Sequence, residues 1–491
     1  MTAGRAIGGL RAVRREARRL RIRRLRITPR PRGRELTLLI LVAVGLFVGN
    51  LSLGATERFR EALLEGDEGP LNLLAPAEPG RLVVYLGALF AVHLALVLAG
   101  RRTDQILLPT VGLLAGIGLL LMERLPQNLA GGLGGLAQTQ LVWLLIGFTI
   151  IAGLAVVVRN DVWLRRYKYT WAAAGVALLL LVFLFGRDVN GARLSLTIGP
   201  FSGQPSELLK VILVVFLAGY LSENRPLLVD ESTRIGPLRL PPLPYLAPMV
   251  AMWAIALGIV IVQRDLGAAL LFFAVFLLLL YISTARVSFV VLGLGAFVLG
   301  AGALYFFFGH VQTRIDIWLD PFADPSGAGY QVVQALHAFA RGGLIGTGLG
   351  AGLPTIGGRP PIPALHTDFP FAALGEELGL VGILAILGLY LVLVERGLRI
   401  AMAAQDEFRA ILAAGLSLVI GVQAFIIAAG NLKLIPLTGI TLPFVSYGGS
   451  SLLANGVIVG LLIALSERTR EPLPLPRRAG RVRRLLDRGA A

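Results

Sequence analysis

Residues 266–284, LGAALLFFAVFLLLLYIST, and 287–308, VSFVVLGLGAFVLGAGALYFFF, are apolar runs of 19 and 22 residues parted only by Ala285 and Arg286. As helices rising about 1.5 Å per residue, each crosses roughly 30 Å of hydrocarbon. Neither run carries the polar stripe that a helix at the surface of a soluble domain needs, so the surrounding solvent must be lipid. Lipid offers the backbone no hydrogen-bond partners, which makes α-helix the structure for such a run.

Working outward from this pair, comparable runs recur at 36–55, 82–100, 105–122, 137–157, 169–186, 205–223, 243–263, 371–394, 410–430 and 447–465. The expected fold is all-α and polytopic, with about 12 transmembrane helices. Composition agrees: 56% of the 491 residues are hydrophobic and 15% charged, whereas soluble domains carry about 25% charge. The absence of cysteine excludes disulfides, thiol catalysis and thiolate metal sites, and four histidines leave little for a His-rich metal site.

The net charge of +17, from 46 Lys+Arg against 29 Asp+Glu, raises the question of a nucleic-acid partner. Placement answers it. With a cytoplasmic N-terminus, 34 basic residues fall in inward segments and 11 in outward ones, with Lys210 inside a span. This is the positive-inside bias, and it predicts an N-in, C-in topology with no nucleic-acid partner. Residues 1–35 hold thirteen arginines against Glu16 and Glu35, too polar to bury a core, and read as a cytoplasmic tail attracted to anionic headgroups. The run at 36–55 is too long for a signal-peptide core and reads as an uncleaved span. Residues 36–104 hold two spans, and 467–491 form a second basic tail.

Two outward segments stand apart, 309–370 by its length and 430–447 by its Gly, Pro, Thr and Ser content. Long connections are often functional, and charges bordering hydrocarbon are functional candidates. Glu207 and Lys210, at i, i+3, meet on one helical face as an ion pair or as ligand contacts. Arg264 and Asp265 sit where two spans join, as a hairpin salt bridge or a binding pair. Asp368 closes the long segment just before a span begins, where partial desolvation raises a carboxylate toward the range of a general base; a helix-stabilising role is the alternative. Glu376 and Glu377 follow about two turns on, and at least one must face protein or a water-filled cavity. The glycines of 341–350 lack a preceding strand, so they suit close packing or a large headgroup better than a nucleotide.

Taken in order, Asn190-Gly191-Ala192-Arg193, Gln204-Pro205-Ser206-Glu207 with Lys210, Gln263 to Gly267, Gly329-Tyr330-Gln331, His366-Thr367-Asp368-Phe369, Gly375 to Gly379 and Pro436 to Ser451 resemble the motifs of the SEDS family, the RodA/FtsW/SpoVE group. The resemblance covers about 105–466 and is closest to RodA-like members. Arg264 stands where the family usually has Pro, and Pro370 where an aliphatic residue is usual.

Members usually have ten spans, so the first two here are an even-numbered addition that leaves the orientation of the core unchanged. The resemblance implies a peptidoglycan glycosyltransferase of the bacterial cytoplasmic membrane. It would polymerise lipid II on the outer face, release undecaprenyl diphosphate, and work with a class B penicillin-binding protein. It implies Asp368 as general base, and Lys210, Arg264 and Arg341 as phosphate-binding candidates, directly or with a divalent cation (Mg or Mn) shared by Asp265. Glu207, Glu376, Glu377, Ser446 and Tyr447 would line or brace the cavity. A lipid II flippase and a non-catalytic cell-wall scaffold are the competing readings.

Overall fold

The computed structural model describes residues 29–65, 75–129, 134–158, 161–189, 192–198, 201–229, 264–352 and 361–467, with isolated positions between 233 and 261. Most of the arginine-rich head, nearly all of the basic tail and most of the span expected at 243–263 lie outside the described residues. Helices α1 (Gly33–Glu65), α2 (Pro79–Leu98), α3 (Leu107–Arg124), α4 (Leu136–Val157), the short α5 (Val162–Arg166) and α6 (Lys168–Phe185) come first. Strands β1 (Arg187–Val189), β2 (Ala192–Ile198) and β3 (Phe201–Gly203) follow as an antiparallel meander, then α7 (Pro205–Val229) and a hairpin of β4 (Thr233–Ile235) and β5 (Leu238–Leu240). The rest of the chain is α8 (Leu266–Thr284), α9 (Val287–Phe307), α10 (Gly309–Leu319), α11 (Tyr330–Gly342), α12 (Pro370–Met402), α13 (Glu407–Asn431) and α14 (Gly449–Leu465).

Among the described residues ten helices are long and apolar enough to cross a membrane, and α14, with 17 residues, is a shorter apolar one. Helices α3, α7 and α13 are mostly buried and form the centre of the bundle, whereas α9 buries only Phe289 and turns the rest of its surface outward. That contrast follows from sequence: the polar groups of α9, Ser288 and Tyr305, lie near its two ends, while α7 and α13 carry Glu207, Lys210 and Gln423, which need partners inside the bundle.

The two ends of the bundle differ in chemistry. At one end Arg32 bonds Thr103, Arg101 reaches the carbonyls of Val156 and Val158, and Arg409 grips Asp161 at 2.7 Å. Arg225 likewise joins the carbonyl of Ser283 to Glu407. These bonds gather the first residues of α1 and α13 with the last of α4, α7 and α8 at a single basic end. At 33 residues α1 is on the order of 50 Å long. Its far half reaches the opposite end, where Ser52 and Thr56 donate to the carbonyl of Leu349.

That opposite end holds the long 309–370 segment, which is ordered around a break in α12. Gly379, at φ +64° and ψ −168°, divides this helix into a buried first portion and the spanning remainder. Backbone amides at the break turn outward: Leu380 and Val381 donate to the carbonyls of Gly343 and Leu344, and Thr347 and Gly348 donate back to Glu376 and Glu377. A Cβ on Gly379 would stand 2.6 Å from the Leu344 carbonyl oxygen. The glycine-rich stretch is therefore backbone packed on backbone, in line with the close-packing expectation.

Candidate active site

Asp368 sits at the end of the loop that leads into α12, whose first residue is Pro370, a residue suited to N1 because its missing N–H has no helical acceptor there. The Asp368 backbone is fixed from two sides. Its amide donates to the carbonyl of Ala364 at 2.9 Å, and its carbonyl accepts from the amide side chain of Asn431, at the end of α13, at 3.0 Å. The 436–447 segment closes a third side. Ser446 Oγ donates to the carbonyl of Thr367 at 2.7 Å and accepts from the amide of Leu442, while the amide of Tyr447 donates to the carbonyl of His366.

Burial pushes the Asp368 carboxyl up to about 6, with the Thr367 hydroxyl and the Arg314 guanidinium pulling in the opposite direction. Arg314, on α10, is held in place by donating to the carbonyls of Leu437 and Thr438 at 3.1 and 2.9 Å. Gly439, at φ +73°, lies beside both groups: a Cβ there would stand 3.6 Å from the Asp368 carboxylate and 3.9 Å from the Arg314 guanidinium. His310, one turn before Arg314, is held below its usual range by burial and by the charges of Arg264 and Arg314, and so is neutral near pH 7. Arg264 is exposed; its amide donates to the carbonyl of Ile261, and its guanidinium makes no hydrogen bond or ion pair among the described residues. The result is a carboxylate with a pKa near 6 and the Arg314 guanidinium in its field.

Directly adjoining is a buried polar network that joins four helices. Lys210 Nζ donates to Glu207 at 2.6 Å, Gln423 at 2.8 Å and Asn455 at 3.1 Å. Those three bonds use all of its protons, and the side chain is 2% exposed. Glu207 also accepts from Thr441, which pairs with Ser451 at 2.6 Å. Asp265 caps α8 by accepting from the amide of Ala268, and its second oxygen accepts from Gln204 and Ser206. The hairpin salt bridge between Arg264 and Asp265 does not form, because the carboxylate is used by the cap and by α7.

Of the residues singled out by sequence, Asp368, Ser446 and Tyr447 come together, with Arg264 nearby, whereas Lys210, Glu207 and Asp265 form the floor beneath them. Ser446 has its hydroxyl engaged by main chain on both sides and braces the loop. Arg341 is bound to Glu376 at 2.8 Å, and Arg124 pairs with Glu377, so both glutamates anchor the broken start of α12. Arg314, Asn431 and Arg124 were missed by sequence reasoning. For Arg314 a signal existed: the arginine follows an apolar span by two turns, in the same 309–370 segment as Asp368.

No cluster of three His, Asp or Glu that could hold a divalent cation occurs among the described residues, and Asp265 already accepts from three donors.

The profile of the FtsW/RodA/SpoVE family, described as cell cycle protein, matches residues 105–471. The chain belongs to this family. A peptidoglycan glycosyltransferase RodA of Mycobacterium bovis is 40% identical over 452 residues, 91% of this chain and 92% of that protein. From residue 105 onward the chain has 491 − 104 = 387 residues, so that similarity extends into the first two helices. A probable peptidoglycan glycosyltransferase FtsW of a Geobacter species is 36% identical over 68% of this chain and 87% of its own length. Among solved structures, one described as structural coordination of polymerization and crosslinking by a peptidoglycan synthase complex aligns with a TM-score of 0.62 at 28% identity, over 75% of this chain and 99% of that chain. The Thermus thermophilus rod shape determining protein RodA aligns at 0.54 and 25% identity, over 75% of this chain and 98% of its own. The solved relatives thus share the fold of most of this chain.

Proposed function

We propose that this peptidoglycan glycosyltransferase polymerises lipid II with Asp368 as general base, on the outer face of the bacterial cytoplasmic membrane. The observation that carries the reading is the Asp368 carboxyl, raised to about 6 at the mouth of a span and facing Arg314. A base with this pKa is ionised at neutral pH yet still accepts a proton readily.

In the reaction, the 4-hydroxyl of the acceptor sugar passes its proton to Asp368 as its oxygen bonds to the anomeric carbon of the donor. The bond from that carbon to the diphosphate oxygen breaks, and undecaprenyl diphosphate leaves with the electron pair. Arg314 and the exposed Arg264 offer positive charge to the departing diphosphate, where preorganised cations are worth most. The floor built from Glu207, Lys210 and Asp265 keeps that geometry rigid. The polyprenyl tails would remain in lipid beside the apolar helix faces.

The orientation rests on charge: the arginine-rich end faces the cytoplasm by the positive-inside bias, which puts Asp368 outside. A class B penicillin-binding protein as partner is supported by the relative solved within a peptidoglycan synthase complex. The test is polymerisation of purified lipid II by wild type and Asp368→Asn. Glycan chains from the wild type and none from a folded Asp368→Asn protein are expected. Chains made by the variant would remove Asp368 from its role, and lipid II movement across liposomes without any chain formation would favour a flippase.

A further inference from the structure

At the basic end, opposite the end that holds Asp368, a cleft of about 1300 Å³ opens along the seam between the first two helices and the rest of the bundle. One wall is the entry to α1 and the link from α2 to α3; the other is the end of α12, the start of α13 and the end of α14. Eight arginines line it against two acids, Asp104 and Glu467, a balance of 8 − 2 = +6.

The arginines divide into two sets. Five are held by the protein itself. Arg32, 3% exposed, is clamped by Glu35 and Thr103, and Arg101 by Glu467. Arg409 is held by Asp161, and Arg396 and Arg399 by Glu395. The other three, Arg30, Arg34 and Arg102, are exposed, and their guanidinium groups make no hydrogen bond or ion pair among the described residues. A wall of protein-bound arginines thus carries three exposed cations on the side of the first two helices.

Their depth also matters. Arg34 lies in the first turn of α1, and Arg102 lies four residues past the end of α2. Both positions are where an apolar helix leaves hydrocarbon, the layer occupied by lipid headgroups. Arginine forks match phosphate oxygens in pairs, which a single bound carboxylate from the protein does not exhaust.

We propose that this cleft is a phosphate-binding site that takes the phosphodiester headgroup of an anionic lipid, or a soluble phosphate of the same chemistry, and so fastens the added helix pair to the bundle. The probe is phosphatidylglycerol added to the full-length protein in detergent, with phosphatidylcholine of the same acyl chains as control, and bound lipid counted by native mass spectrometry. Wild type is expected to retain phosphatidylglycerol selectively. Arg30→Gln/Arg34→Gln/Arg102→Gln is expected to weaken that binding by about fivefold for each arginine removed. The single change Arg102→Gln, expected to lose about fivefold, serves if the triple variant does not fold. Arg165→Gln/Arg166→Gln, on the same end but outside the cleft, is expected to bind as wild type does. Competition with inorganic phosphate separates the sources: displacement assigns the site to soluble phosphates as well, and its absence assigns it to lipid. Equal loss in the cleft and control variants, or equal retention of the two lipids by wild type, overturns the proposal.

Discussion

The side-chain amide of Asn431 donates to the main-chain carbonyl of Asp368 at 3.0 Å, so the last residue of one spanning helix positions the proposed base at the mouth of another. Asn431 is fully buried. Replacing it with alanine leaves that carbonyl without its donor and lets the loop shift, and displacements near 1 Å can cost on the order of 100-fold in rate. Asn431→Ala is expected to lower the turnover of lipid II polymerisation by about 10- to 100-fold with little change in KM. A variant with wild-type turnover would show that the loop is held well enough without it.

The raised carboxyl of Asp368 predicts opposite signs for activity and stability. As a base it must be ionised, so the polymerisation rate is expected to fall below pH 6, approaching tenfold per unit. For stability the folded pKa lies above the unfolded value of about 3.9. The native state therefore holds the proton more tightly, and this contribution, complete below that value, is lost as pH rises through 6. At pH 7 the ionised, buried group costs on the order of 3 kcal/mol. Asp368→Asn is accordingly expected to be inactive yet to unfold at a higher temperature than wild type at pH 7. A rate that is flat from pH 5 to 7 would exclude Asp368 as the titrating base.

Arg314 lowers the pKa of Asp368 against the effect of burial, and its own position depends on the carbonyls of Leu437 and Thr438. Arg314→Gln removes that pull, so the acidic limb of the rate profile should move to higher pH. Loss of a preorganised cation should also reduce the rate at pH 7 by at least about tenfold, with partial recovery near pH 8. A limb displaced toward lower pH would contradict the electrostatic assignment.

Much of this arrangement was legible in the sequence because lipid imposes a strict rule on composition. The runs at 266–284 and 287–308 could be nothing but spans, and Asp368 was the carboxylate at the mouth of one. The helices of the 309–370 segment were less visible. In α11 the buried Val332, Val333, Ala335 and Ala338 follow a helical period, but the run is too short and too polar to stand out from the loop around it. The β1–β3 meander was not anticipated at all, its strands being too short to stand out from a loop. Lys210 was open to two readings because spacing shows only that it meets Glu207. Gln423 and Asn455, which complete its shell, lie more than 200 residues away in sequence.

Gly379 tests whether the break in α12 is required. Its φ of +64° with ψ of −168° belongs to a region that is essentially glycine-only, and a methyl group there would strike the Leu344 carbonyl. Gly379→Ala is expected to prevent the glycine-rich loop from docking and to reduce folded protein in the membrane severalfold, measured by yield and monodispersity after extraction. Normal yield would show that α12 can run through unbroken.

Lys210 has two roles open to it, as part of the fold or as a ligand to the substrate diphosphate. Its three protons are spent on Glu207, Gln423 and Asn455, so removing it should act first on the fold. Lys210→Met leaves the Glu207 carboxylate buried with Thr441 as its remaining donor, and breaking a buried pair from one side costs about 3–5 kcal/mol. Adding Glu207→Gln removes the orphaned charge and should restore much of the lost thermal stability of the detergent-solubilised full chain. If Lys210 instead grips the substrate diphosphate, the single variant should fold normally with a raised KM, and the second change should rescue nothing. The structure favours the first outcome because a fully coordinated ammonium has no donor left to offer a ligand unless the floor of the site rearranges.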